Sequence, residues 1–177
     1  MYPFIRMAKE LIRHRKAPPL PVDGTHVTTL TCWPWDIDMW AELNNGRSLT
    51  LYDLGRIPLA MRIGLVRVLR ARGWGLTMAG AVVRWRRRVR AFETVEIHSR
   101  CVGWDERFIY IEQSMWKKNG ECASQVHYRS AITGPSGIVP TAEVAAALGV
   151  EGNAPKLPDW VAGWVELENR RPWPPER

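Results

Sequence analysis

Two aspartates and two asparagines open one stretch, Trp35–Arg56, which reads WDIDMWAELNNGRSLTLYDLGR. Asp36 and Asp38 lie in an extended, aromatic-flanked segment, and Asn44-Asn45-Gly46 leads from it into a helical pattern. The first amides of a helix have no partner inside the helix, and the potential there is positive. A carboxylate held just ahead of such a terminus stays ionised, beside N–H donors able to stabilise a developing oxyanion. The same residues equally suit ordinary loop and cap chemistry, because Asp and Asn are favoured at turns and N-caps. Either role depends on the elements that fix the loop.

Those elements can be read from periodicity. Met1–Lys16 has Phe4, Met7, Ala8, Leu11 and Ile12 at helical spacing and a basic face of Arg6, Lys9, Arg13, Arg15 and Lys16. Such a helix suits an anionic membrane surface, although docking on the protein's own body or a second subunit is the simpler expectation. Ala17–Pro21 ends it. Val22–Trp33, dense in β-branched residues, predicts a first strand. Arg47–Ile57 predicts a helix that Pro58 kinks or splits, with Leu59–Ala71 resuming the pattern and Gly73 stopping it.

From Gly75 the period becomes two. In Leu76–Arg90, Val83, Trp85 and Val89 alternate with Arg84, Arg86, Arg88 and Arg90, predicting a strand with one row of guanidinium groups. Val95–Trp104, Arg107–Lys117 and Glu121–Thr133 predict three more strands, the last two joined by an Asn119-Gly120 hairpin. Helix plus antiparallel meander gives an α+β architecture with the helix on one face of the sheet. Pro140–Gly149 predicts a short helix capped by Thr141, and the Pro- and Trp-rich chain after Glu151 an irregular tail pinned by Trp160, Trp164 and Trp173.

At 177 residues and 46 % hydrophobic, the chain suits a single domain: a helix and linker over 1–21, a core over 25–133 and a C-terminal portion over 134–177. Cys32, Cys101 and Cys122 lack disulfide-framework or metal-site spacing and read as small buried thiols in a reduced, cytoplasmic setting. No apolar run reaches bilayer-spanning length, and the N-terminus lacks the apolar core of a signal peptide. The net charge of +7 favours an anionic partner. Nucleic acid is not expected, because the aromatics form no recognisable RNA-binding motif. His98 and His127 lie far apart in sequence, so no metal site is expected.

The order strand, acidic loop, helix and antiparallel meander resembles the hot-dog fold of the 4-hydroxybenzoyl-CoA thioesterase-like family. It resembles especially the branch whose motif runs D-x-D-x-x-G-H-x-N-N-x-R-Y-L. Asp36, Asp38, Asn44, Asn45, Arg47 and Leu49 match in register, and the likeness covers Thr25–Thr133. The resemblance implies an antiparallel sheet wrapped around a central helix and hydrolysis of an acyl-CoA, the coenzyme entering as part of the substrate with no further cofactor. It implies that Asp38 acts as nucleophile or general base and the Asn45 amide as oxyanion donor, with Asn44 capping the helix or orienting the loop. Asp36 is included in the candidate catalytic set as the motif's first acid. Relatives place a basic cluster at the strand corner that retains only Arg107 here; Arg86 and Arg88 are the alternative contacts for coenzyme phosphates. Sites between subunits imply a homodimer or a dimer of dimers, and the basic N-terminal helix admits contact with the inner membrane. Three positions depart from the motif: Glu42 replaces histidine, Ala41 glycine and Ser48 tyrosine. Glu42 is the reason to keep a non-catalytic acyl-CoA binding protein as the alternative.

Overall fold

The computed structural model describes residues 2–150 and 154–176. In chain order the elements are α1 (Phe4–His14), β1 (His26–Thr31), a 3-10 turn (Pro34–Asp36), α2 (Asn45–Arg62), α3 (Leu65–Arg72), β2 (Gly75–Trp85), β3 (Thr94–Trp104), β4 (Ile109–Lys117), β5 (Cys122–Gly134), β6 (Gly137–Ile138), α4 (Thr141–Leu148) and α5 (Asp159–Arg170). The sheet runs β1-β3-β4-β5-β2, all antiparallel, with β6 added to β5. It curls around α2, which is the hot-dog arrangement.

Period-two alternation builds the inner face of the sheet. Val95, Ile97, Ser99 and Cys101 of β3 all point inward and are buried. Leu51, Leu54 and Leu59 of α2 pack against that face, each contributing about 2 kcal/mol by removal from water. The helix comes unusually close at Gly55, where a Cβ would stand 2.5 Å from Ser99 Oγ and 3.0 Å from Ile97 Cγ2. Gln113, fully buried, bridges the two layers: its Nε2 donates to the Tyr52 carbonyl at 2.8 Å and to Ser99 Oγ at 2.7 Å.

Four expectations require correction. Pro58 does not split the helix; α2 continues to Arg62 and breaks at Gly64, whose φ of 83° is costly for any other residue. Proline removes the amide that would serve the Leu54 carbonyl, and the Thr28 hydroxyl lies 3.4 Å from that oxygen. The second strand ends at Trp85 rather than Arg90, because the amides of Arg86 and Arg87 both turn to the Ala123 carbonyl. Thr141 does not cap α4; its hydroxyl donates to the Asp105 carbonyl.

The fourth concerns the tail, which is helical over Asp159–Arg170. Val161 is fully buried among Phe108, Tyr110 and Ala131, so α5 covers the outer face of the sheet. Trp160 stacks edge-on to His127 and Trp164 to Tyr110, as anchors, whereas Trp173 is 87 % exposed and pins nothing. The residues 151–153 within the expected tail lie outside the described residues.

Candidate active site

The acidic loop is held from behind by Asp36. Its carboxylate is fully buried and accepts three bonds: Arg6 Nη1 at 2.7 Å and the Trp33 amide at 3.0 Å on Oδ2, and Arg47 Nε at 2.6 Å on Oδ1. Burial pushes its pKa up, but the Trp33 amide, Arg47 and Arg6 together outweigh burial and hold it below the ordinary value. Arg6 also donates to the Thr31 carbonyl at 2.8 Å. Asp36 therefore joins α1, the end of β1 and the start of α2; saturated in this way, it serves as a frame.

The frame fixes the start of α2. The Asn44 amide donates to the Asp36 carbonyl at 3.0 Å, and the Asn44 side chain accepts the Arg47 amide at 2.9 Å as an N-cap. The Ser48 amide takes the Asn44 carbonyl, the first helical bond. Helix geometry leaves the Asn45 and Gly46 amides at the open, electropositive end.

Asp38 lies in a tight hairpin closed by an Ile37–Leu43 bridge and by its own amide donating to the Glu42 carbonyl at 2.9 Å. Its Oδ1 accepts the Trp40 amide at 2.8 Å, and the side chain is half-buried. Ala41 completes the turn with φ 57°, a left-handed conformation that explains glycine at this place in the motif. Met39 and Trp40, at the tip, are largely exposed.

A cavity of about 210 Å³ opens beside the α2 terminus, lined by Glu42, Asn45, Ser48, Trp85 and the Arg86–Arg88 turn, with Met115 and Ser124 at its floor. Ser48 ties its walls: the hydroxyl donates to the Asn45 carbonyl at 2.6 Å and accepts Trp85 Nε1 at 3.1 Å. The Tyr52 hydroxyl meets Ser124 Oγ at 2.8 Å below. Glu42 is paired with Arg88, Oε2 to Nε at 2.8 Å, so the carboxylate in place of the motif histidine is matched by a cation.

The chain thus brings Asn45, Arg86 and Arg88 to one cavity, while Asp36 and Asn44 line the neighbouring hollow. Asp38 is in the connecting loop and lines neither this cavity nor the hollow of about 490 Å³ on the other side of Asp36. Arg107 is not brought together with the other two arginines. It sits at the β3–β4 corner built by Asp105, whereas Arg86 bonds beside the far end of β4. Sequence reasoning missed Ser48 and Trp85 as wall residues; the inward parity of Trp85 was the available signal. His98 pairs with Glu96 on an exposed face, while His127 lies two strands away beside Glu112. Among the described residues no group of His, Cys, Asp or Glu is arranged to hold a metal ion.

A curled antiparallel sheet around a long helix, with an acidic hairpin at the helix N-terminus, defines a hot-dog protein. Residues 32–165 match the Thioesterase-like superfamily, and the chain belongs to that superfamily. It is 31 % identical over 137 residues to the THEM6 protein of Xenopus laevis, covering 77 % of this chain and 65 % of that protein. The chain spans about half to two thirds of the length of the curated relatives it matches. Among solved structures it resembles YbaW from Escherichia coli (12 % identity, TM-score 0.65, 70 % of this chain and 96 % of the other). It also resembles a DHNA-CoA thioesterase from Staphylococcus aureus (11 %, 0.60, 82 % and 91 %). A third likeness is to smu.793 from Streptococcus mutans, solved with acetyl CoA bound (13 %, 0.52, 65 % and 86 %). At these identities the structural likeness concerns the fold.

Proposed function

We propose that this chain hydrolyses an acyl-CoA thioester, working as a homodimer. The observation that carries the reading is the capped, open first turn of α2 facing a cavity walled by Arg86 and Arg88. A thioester carbonyl seated at the Asn45 amide would gain a donor aimed at the oxygen that becomes negative. Asp38, its Oδ1 oriented by the Trp40 amide, lines neither hollow of the single chain, so in this reading it would reach the carbonyl carbon, or a water that attacks it, only where a second chain completes the site. With Asp38 as general base, the proton it takes from the attacking water passes to the sulfur as the C–S bond breaks, releasing the free acid and the coenzyme thiol. With Asp38 as nucleophile, the C–S bond breaks as an aspartyl anhydride forms, the departing thiolate takes a proton from water, and a second water hydrolyses the anhydride to the free acid and restores the Asp38 carboxylate. Arg86 and Arg88 suit the coenzyme phosphates as guanidinium partners, and Arg107, at the far end of β4, would serve a site only across a subunit boundary.

Pairing of protomers is supported by β2. This edge strand leaves Leu76, Met78, Val82 and Trp85 partly exposed along its length, with Trp85 at the cavity, an unpaired edge of a kind that proteins usually cover. A second chain there would also enclose the exposed hairpin tip.

The test is hydrolysis of an acyl-CoA panel followed by thiol release. Asp38→Asn should lower kcat by about a hundredfold or more while the fold is retained. Equal rates for both proteins would remove Asp38 from the mechanism. Saturable acyl-CoA binding with no turnover by the unaltered protein would mark a binding protein instead.

A further inference from the structure

α1 is docked with its apolar face outward. Phe4, Ile5 and Ile12 are 71 %, 87 % and 66 % exposed, and Ala8 between them is exposed as well. The side turned to the protein carries Met7 and Leu11 together with Arg6, Glu10 and His14, and it is held largely by polar contacts. Where the exposed stripe ends, a second apolar patch begins. Tyr2, its ring tilted against Phe4 at 4.9 Å, shares a hollow with Trp35; Trp35 stacks on Trp33 at 5.4 Å, and Phe92 meets Trp33 edge-on at 6.1 Å. Trp35 and Phe92 are 69 % and 66 % exposed.

We propose that α1 and the Trp33–Trp35–Phe92 patch together form a docking surface for an anionic lipid bilayer. Charge selects this occupant. Lys9, Arg15 and Lys16 flank the stripe and are exposed, whereas Glu10, the acid of α1, is buried on the other side. Two copies meeting through this face would bring like charges together, while phosphate headgroups would neutralise them. The residue types agree: aliphatic and aromatic side chains enter the acyl boundary, and tryptophan settles at headgroup level. No described helix is long and apolar enough to cross a membrane. It is independent of the thioesterase reading, since neither Asp38 nor the cavity belongs to it.

Co-sedimentation of the full chain with phosphatidylcholine vesicles containing 30 % phosphatidylglycerol tests the surface, the lipid fraction being on the order of a physiological anionic content. The unaltered protein should bind these vesicles and bind pure phosphatidylcholine far more weakly. Ile5→Gln with Ile12→Gln, both at exposed helical positions, should abolish binding without changing the thermal melt. Lys9→Gln with Lys16→Gln should weaken it by about twenty-five-fold, at about fivefold for each cation near the surface. Leu167→Gln, an equally exposed residue on α5, should leave it unchanged. The proposal fails if the protein ignores anionic vesicles or if the α1 double variant binds them as well as the original. It fails equally if that variant converts a dimer to a monomer in sedimentation velocity, because the face would then be a protein interface.

Discussion

α1 and α2 lie side by side on the same protein body but are attached by opposite means. α2 is held by a dry layer, with Leu51, Leu54 and Leu59 against the sheet and Gly55 permitting close approach. α1 sets only Met7 and Leu11 against that core and is otherwise held by an ionic and hydrogen-bonded layer, in which Arg6 reaches Asp36, and Glu10 and His14 pack near Thr28 and His26. A helix seated by apolar area is indifferent to pH and salt, whereas one seated by charges is not. The same arrangement frees the apolar side of α1 for something outside the protein.

The comparison breaks most severely at the centre. Leu54→Ala should cost about 3 kcal/mol in urea unfolding, from lost burial and the cavity left in the core. Asp36→Asn should cost about as much or slightly less, because Arg6 and Arg47 would lose the buried anion between them. Its distinguishing readout is hydrogen exchange: α1 and the first turn of α2 should lose protection while the middle of α2 keeps it.

A third test uses pH. His26 accepts Arg62 Nη1 on Nδ1 at 3.0 Å and meets Thr28 Oγ1 through Nε2 at 2.9 Å, a pattern suited to the neutral ring. Burial first, and then the nearby His14 and Arg62, lower its pKa from the ordinary 6.5 to about 4. The unfolded chain therefore takes up a proton at higher pH than the folded one. Stability supplied by neutral His26 is complete above about pH 6.5 and is lost as pH falls toward 4. Unfolding free energies measured across that window should decline with acid, and His26→Gln should remove part of the slope. The smallest effect is expected at Ala41, where Ala41→Gly should stabilise by about 1 kcal/mol through relief of the left-handed backbone, read as a higher melting temperature.

Much of this architecture was legible from the residues. The alternation in β3, β4 and β5 and the Asn119-Gly120 hairpin follow from local stereochemistry, and each occurs within a residue or two of its expected place, while of the two roles the resemblance left to Asn44 the structure shows the cap. α5 was not legible, because Val161, Trp164 and Val165 become a packing stripe only opposite Phe108 and Tyr110 of an otherwise uncovered sheet face. Nor was the persistence of α2 through Pro58, where the freed Leu54 carbonyl has the Thr28 hydroxyl, thirty residues earlier than the proline, within 3.4 Å. In the candidate site, Asp36 and Asp38 look equivalent as letters. Two arginines from different elements make the first a saturated frame, while the second keeps its place in the hairpin.

The order of elements from α1 to β5, the acidic loop before the long helix and the surplus of positive charge were determined by the chain itself, since they rest on backbone preference, side-chain period over a few residues and composition. Which carboxylate would be buried, which arginines would border the helix terminus and which side of α1 would face outward were decided only by the tertiary structure. Those outcomes depend on partners brought from distant parts of the chain, and periodicity states that a helix has two faces without stating which one the protein will cover.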